Sequence, residues 1–105
     1  MLTGKNLMNY ISDYLAECNR LGVHFKKVIL FGSYARNAAN EWSDVDLALV
    51  SDNFTGMIID DNRKISRANI KFVDIEPHMF NSAYFEEGDP FIEEIKKTGR
   101  EIKWE

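Results

Sequence analysis

The sequence is poor in cysteine and in long apolar runs, and each shortage excludes a class of protein. Cys18 is the single cysteine among 105 residues, so the chain cannot form an internal disulfide or, from cysteine alone, a metal site. No apolar run approaches the roughly 20 residues that cross a lipid bilayer, and the Met1 end lacks a signal-peptide pattern. We therefore expect a cytoplasmic protein with no membrane partner.

Basic residues are fewer than acidic ones. The chain has 13 Lys and Arg against 17 Asp and Glu, a formal net charge of -4, and its basic residues form no block. A broad basic surface for DNA or RNA is therefore not expected, and neither is bulk nucleic acid as a partner. With 45% hydrophobic residues over this length, we expect one domain over residues 1–105 with an apolar core.

The first half of the chain has the patterns of one helix and two strands. Apolar residues at spacings of three and four predict an amphipathic helix that ends near Gly22: Leu7, Tyr10, Ile11, Tyr14, Leu15 and Cys18. The apolar run over residues 28–31 has strand length. Residues 44–50 alternate as a strand does, so Asp44 and Asp46 are expected to project from the same face.

A second helix and a third strand are predicted next. The helix is predicted from apolar residues that are spaced between charged ones: Ile58, Ile65 and Ala68. Residues 70–76 then alternate as a strand that Pro77 is expected to end, with Asp74 and Glu76 on one face. The third strand would therefore also carry acids.

The last helix has clear signals at both of its ends. Asp89 is a good cap before Pro90 at the first helical position, and Gly99 is expected to end the helix. Its predicted inward residues are Phe91, Ile92 and Ile95. Residues 100–104 are expected either to add a short edge strand or to pack Trp104 on the core.

Paired carboxylates form the candidate site. Asp44 and Asp46 would lie about 7 Å apart along an extended strand, close enough to hold one or two divalent cations. A third acid from a neighbouring strand, Asp74 or Glu76, is expected to complete a two-metal arrangement. The alternative is that Asp44 and Asp46 simply occupy a solvated strand face.

A glycine turn comes just before these acids. Gly32 and Ser33 follow a predicted strand, where backbone N–H groups and a hydroxyl can contact a triphosphate. Arg36 is expected to contact the same phosphates about one turn later. His24 and His78 are interpreted as surface or cap residues, with contact between His78 and the site as the alternative because it follows the third strand.

Gly32-Ser33, then ten residues, then Asp44-x-Asp46 resembles the signature of the polymerase-beta-type nucleotidyltransferases. Ala35-Arg36 and Ser43 fit it too, and the likeness is greatest to the minimal, single-domain branch. The resemblance implies an α/β (α+β) fold, with a small mixed β-sheet flanked by helices. It also implies two Mg²⁺ ions and transfer of a nucleoside monophosphate from a triphosphate to a hydroxyl.

One position departs from the family pattern, and the identity of the third acid is not decided by it. Where the family usually has Gly after the arginine, this chain has Asn37, which also tolerates a left-handed backbone. Residues 75–78 resemble a stretch of one subgroup, which favours Glu76 as the third acid, while Asp74 remains the alternative.

The functional hypothesis is transfer of AMP from ATP to a hydroxyl of a partner protein. Minimal members are often encoded beside a helical HEPN-type toxin and act as its antitoxin, so such a protein is the expected partner. Because 105 residues leave no room for a separate acceptor-binding domain, another chain or self-association is expected to bring the acceptor. The alternatives are a catalytically silent module that neutralises its partner by binding, and an adenylyltransferase for small molecules such as aminoglycosides.

Overall fold

Residues 2–104 are described by a computed structural model, and within this range the chain forms four α-helices and four strands. In chain order these are α1 (Gly4–Arg20), β1 (Lys27–Phe31), β2 (Val45–Ser51), α2 (Ile58–Lys71), β3 (Ile75–Asn81), α3 (Ser82–Glu87), α4 (Pro90–Thr98) and β4 (Arg100–Glu101). None of these helices is both long enough and apolar enough to span a lipid bilayer.

The four strands form one mixed sheet in the order β3-β2-β1-β4. β1 is antiparallel to both β2 and β4, whereas β2 and β3 are parallel. Parallel neighbours need a crossover connection, and α2 supplies it. The structure confirms the predicted small mixed sheet flanked by helices.

The sheet separates two apolar layers. α1 and α2 pack on one face, where Leu47 and Leu49 of β2 are fully buried. α3 and α4 cover the other face through a smaller cluster: Ile29, Ala48, Val50, Phe85, Ile92 and Ile95. Because side chains alternate along a strand, Asp46 projects on the same side as Ala48 and Val50. The acid of β2 therefore lies on the α3–α4 side of the sheet.

The predicted third strand was displaced along the chain. Ile70 belongs to α2, and β3 begins only at Ile75 and continues through Pro77 to Asn81. A proline is tolerated here because β3 is an edge strand, where one side of the backbone needs no ladder partner. The prediction that Pro77 ends the strand was wrong. Because β3 continues past Pro77, the side chains that follow it also alternate between the two faces of the sheet.

The helix predictions are confirmed, with two changes in the residues that face the core. In α2, Ile65 and Ala68 are buried, but Ile58 is 72% exposed and Asp61 is buried instead. In α4, Ile92 and Ile95 are buried as expected, whereas Phe91 is 46% exposed.

The helix ends and the C-terminal segment follow the sequence signals. Asp89 caps α4 by accepting the N–H of Ile92 at 2.7 Å, and Gly99 follows its last turn. Cys18 is fully buried on α1. Both alternatives for the last residues occur together, since β4 pairs with β1 and Trp104 packs against the Phe25 ring.

Candidate metal centre

Gly32 and Asp46 meet where β1 ends. The antiparallel register places Phe31 opposite Asp46, so the residue after Phe31 turns beside the carboxylate. Gly32 has φ 73°, in the left-handed region that favours glycine. A Cβ built on it would collide with Oδ2 of Asp46 and lie 3.2 Å from Cγ. Only glycine therefore lets the backbone pass this close to the carboxylate.

The chain beyond Gly32 makes a tight turn rather than a longer helix. Gly32–Tyr34 form one 3-10 turn, and the carbonyl of Gly32 accepts the N–H groups of Ala35 and Arg36 at 3.1 and 3.2 Å. Asn37 has φ 55°, which confirms the left-handed backbone expected there. The first N–H groups of such a turn have no partners within it, so they can bind an anion. Ser33 is half-buried and Arg36 is exposed in this segment.

Asp46, Glu76 and His78 form the candidate metal group. The parallel register of β2 and β3 pairs Asp46 with Glu76 and Ala48 with His78, which places all three functional side chains on one face. One ligand atom from each lies within 4.8 Å of those of the other two. Nε2 of His78 is 3.3 Å from Oδ1 of Asp46. Their side chains are 26% and 22% exposed, so an ion could reach them from solvent.

The other two predicted acids lie outside this group of three. Asp44 is exposed and precedes β2. Asp74 precedes β3, where its carbonyl accepts the N–H of Val45 at 2.7 Å and its N–H donates to the Tyr10 hydroxyl at 3.2 Å. The structure thus brings Glu76 beside Asp46 and places Asp74 at the start of the strand. The ligand roles of all four acids remain predictions.

His78 is not among the sequence-predicted ligands, because the sequence pattern places the end of the third strand at Pro77. Once β3 runs through Pro77, Glu76 and His78 are two residues apart and share a face. Phe31 and Phe91 pack against the His78 ring, with centroids at 4.9 and 5.9 Å. The Glu-x-His spacing of residues 76–78 is the signal in the sequence. It places both side chains on one face only if these residues form a strand.

The candidate metal group fits a divalent cation. Carboxylate oxygens are the ligands that Mg²⁺ and related ions prefer, and two carboxylates with an imidazole can share one ion. Gly32 lets the Asp46 carboxylate lie against the turn, in space that a side chain would occupy. Donor chemistry and the exposure of the three side chains are therefore compatible with a bound ion.

A cavity of about 700 Å³ lies away from this group. It is lined by the start of α1, by β4 and by Tyr34 and Asn37. The candidate metal group is instead an open surface site at the β2–β3 side of the sheet. Tyr34 is buried, with its hydroxyl accepting the Leu2 N–H, while Trp42 is 84% exposed.

Comparison with known proteins gives two matches. The family model of the nucleotidyltransferase domain matches residues 11–103. A curated protein of Methanocaldococcus jannaschii, named as a candidate protein adenylyltransferase, is 36% identical over 70 residues. That alignment covers 66% of this chain and 48% of the relative, so the chain spans about half the relative's length.

Proposed function

The chain belongs to the nucleotidyltransferase domain family, and we propose that it is a nucleotidyltransferase that transfers AMP from ATP to a hydroxyl of a partner protein. One observation carries the site assignment: Asp46, Glu76 and His78 converge within 4.8 Å beside the Gly32 turn. The name of the archaeal relative, a candidate protein adenylyltransferase, supports a protein acceptor.

In the proposed reaction, the acceptor oxygen bonds to the α-phosphorus of ATP. The bond from that phosphorus to the bridging oxygen breaks, and pyrophosphate leaves with the electron pair. Glu76 accepts the hydroxyl proton, a role open to a carboxylate beside the reacting group. Because the protein makes no covalent bond to the substrate, positioning and charge neutralisation supply most of the rate.

Each element of the site has a proposed task. Asp44, Asp46 and Glu76 hold two Mg²⁺ ions, which when bound neutralise phosphate charge and make the acceptor hydroxyl more acidic. Gly32 and Ser33 offer backbone N–H groups and a hydroxyl to the triphosphate, and Arg36 adds positive charge.

The outer surface of α2 supports a protein partner. Ile59 and Ile70 are 73% and 75% exposed, and at 100° per residue both lie opposite the buried Ile65. Met57 and Ile58, next to Ile59, are also exposed, at 64% and 72%, and clustered exposed apolar residues are typical of protein interfaces. We propose a helical HEPN-type protein as the partner, with the chain acting as its antitoxin in the cytoplasm. The same surface also favours the second candidate function, a module that neutralises its partner by binding alone.

Calorimetric titration of ATP into the purified chain tests the site. With Mg²⁺ we expect saturable binding that EDTA removes and that Asp46→Asn weakens by about tenfold or more. Asp60→Asn removes the same charge from an exposed position of α2 and is expected to change nothing. Absence of ATP binding to the wild-type chain would overturn the transferase proposal and leave the binding module.

Transfer of label from α-phosphate-labelled ATP then distinguishes the acceptors. We expect label on a HEPN-type protein, dependent on Asp46, and none on aminoglycosides when no protein is added. Labelling of aminoglycosides alone would assign the chain to small-molecule adenylylation instead.

A further inference from the structure

We propose that His78 is an ion ligand beside Asp46 and Glu76, and that it makes this site bind first-row transition ions more tightly than Mg²⁺. The inference rests on the proposed function only for the position of the ion. It assigns to that site a nitrogen donor and, with it, a preference among divalent cations.

The three donor atoms lie close to the spacing of a shared coordination sphere. Around an ion with ligands at about 2.1 Å, neighbouring donors lie about 3.0 Å apart and opposite donors about 4.2 Å apart. Nε2 of His78 lies 3.3 Å from Oδ1 of Asp46, and all three donor atoms fall within 4.8 Å. Small side-chain adjustments are therefore enough for the three donors to bind one ion.

The surroundings of the ring hold His78 in this direction. Phe31 contacts the ring edge-on with centroids 4.9 Å apart, and Phe91 does so at 5.9 Å. The backbone adds to this constraint, since the β2–β3 register fixes His78 opposite Ala48, two residue pairs beyond Asp46 and Glu76. An imidazole packed against two aromatic rings and close to a carboxylate loses little conformational freedom when it binds an ion.

The donor set determines the expected selectivity. Mg²⁺ prefers oxygen ligands, whereas imidazole nitrogen suits first-row transition ions and binds Co²⁺ more strongly than Mn²⁺. A site with two carboxylates alone would not favour transition ions to the same extent. The nitrogen of His78 should therefore contribute much more to Co²⁺ binding than to Mg²⁺ binding.

Ion titrations without nucleotide test this inference. We expect the wild-type chain to bind Co²⁺ at least about tenfold more tightly than Mg²⁺, with Mn²⁺ between them. His78→Gln replaces the nitrogen donor with an amide and should remove most of that difference while changing Mg²⁺ binding by less than about threefold. His24→Gln changes the only other histidine, which is exposed, and should behave as wild type.

Co²⁺ absorption spectra give a readout that is independent of affinity. Nitrogen ligation by His78 should change the visible bands of bound Co²⁺, and these bands should differ in His78→Gln. His78→Ala serves as a second variant, with circular dichroism to verify its fold. Equal losses for Co²⁺ and Mg²⁺, or an unchanged spectrum, would mean that His78 only positions Asp46, and the inference would be wrong.

The proposed function can fail separately from this inference. If the wild-type chain binds Mg²⁺ through Asp46 but shows no preference that depends on His78, only the present inference is overturned. If Asp46→Asn leaves the binding of every ion unchanged, the ion position is wrong and both proposals fail.

Discussion

At the scale of single residues, Gly32 is where a missing side chain matters most. It combines a left-handed backbone with direct contact to the Asp46 carboxylate, so alanine there would strain the turn and displace the carboxylate. We expect Gly32→Ala to destabilise the chain by about 1–3 kcal/mol and to weaken ion binding by about tenfold or more. Urea unfolding and ion calorimetry measure the two effects separately.

Gly22 provides the matched control for this substitution. Its φ is 96°, and a Cβ built on it would have nothing within 4 Å. Gly22→Ala should therefore show a similar loss of stability, because the backbone strain is comparable, but unchanged ion binding. If Gly32→Ala bound ions as well as Gly22→Ala does, the contact with Asp46 would have no role in the site.

The residues of the site differ in how far the sequence alone could predict them. Gly32, Asn37 and Asp46 follow from local patterns, because a turn, a left-handed residue and an alternating strand depend on nearby residues. His78 depends instead on the pairing of β2 with β3, which brings together residues 32 positions apart. Such pairing is set by the tertiary packing of the sheet and has no local signature.

At the scale of secondary structure, Asp61 fixes the start of α2 to the loop before it. Its buried carboxylate, 2% exposed, accepts the N–H groups of Thr55 and Gly56 at 2.8 and 2.9 Å. The Thr55 hydroxyl also donates to it, and Lys64 lies 3.4 Å away. Burial alone would raise the pKa of Asp61, but these hydrogen bonds outweigh it and lower the pKa.

We expect Asp61→Asn to destabilise the chain by about 2–3 kcal/mol at neutral pH, because an amide cannot accept all of these hydrogen bonds. The folded pKa of Asp61 lies below its unfolded value of about 3.9, so the stabilisation is present above that pH. It is lost as the pH falls through the folded pKa. The difference between wild type and variant should therefore shrink below about pH 4.

Urea unfolding of both proteins between neutral pH and about pH 2.5 measures this difference. Asp60→Asn, in the same first turn but exposed, should change stability by less than about 1 kcal/mol. A difference for Asp61→Asn that stayed constant across this pH range would contradict the role given to its hydrogen bonds.

Two elements show why secondary structure was only partly predictable. β3 contains Pro77 because it lies at the sheet edge, a fact that only the strand order provides. α3 was not predicted because its six residues are too few to show a helical period. Its start depends on Asn81, whose side chain accepts the N–H groups of Ala83 and Tyr84 and donates to the Phe54 carbonyl at 2.8 Å.

At the scale of the whole molecule, the sheet separates two surfaces that can act independently. The candidate metal group lies on the α3–α4 side, whereas the exposed Ile59 and Ile70 lie on α2, which packs on the other side. A partner bound to α2 would therefore leave the path to Asp46 open. To be the acceptor as well, that partner would have to extend a hydroxyl-bearing segment around the sheet to the candidate metal group.

The same arrangement makes the two apolar layers one cooperative unit, because neighbouring residues of β2 alternate between them. Ile95 lies in the α3–α4 layer, while Trp104 packs on the opposite layer against Phe25. Ile95→Val should destabilise the chain by about 0.5–1.5 kcal/mol and lower Tm by several degrees, about 4–8 °C per kcal/mol. Trp104 fluorescence and far-ultraviolet circular dichroism should report the same lowered midpoint, since Trp42 is exposed and its fluorescence changes little on unfolding.

Ile58→Val is the control, because Ile58 is exposed and both midpoints should stay unchanged. If the two probes gave different midpoints in Ile95→Val, the two layers would unfold independently.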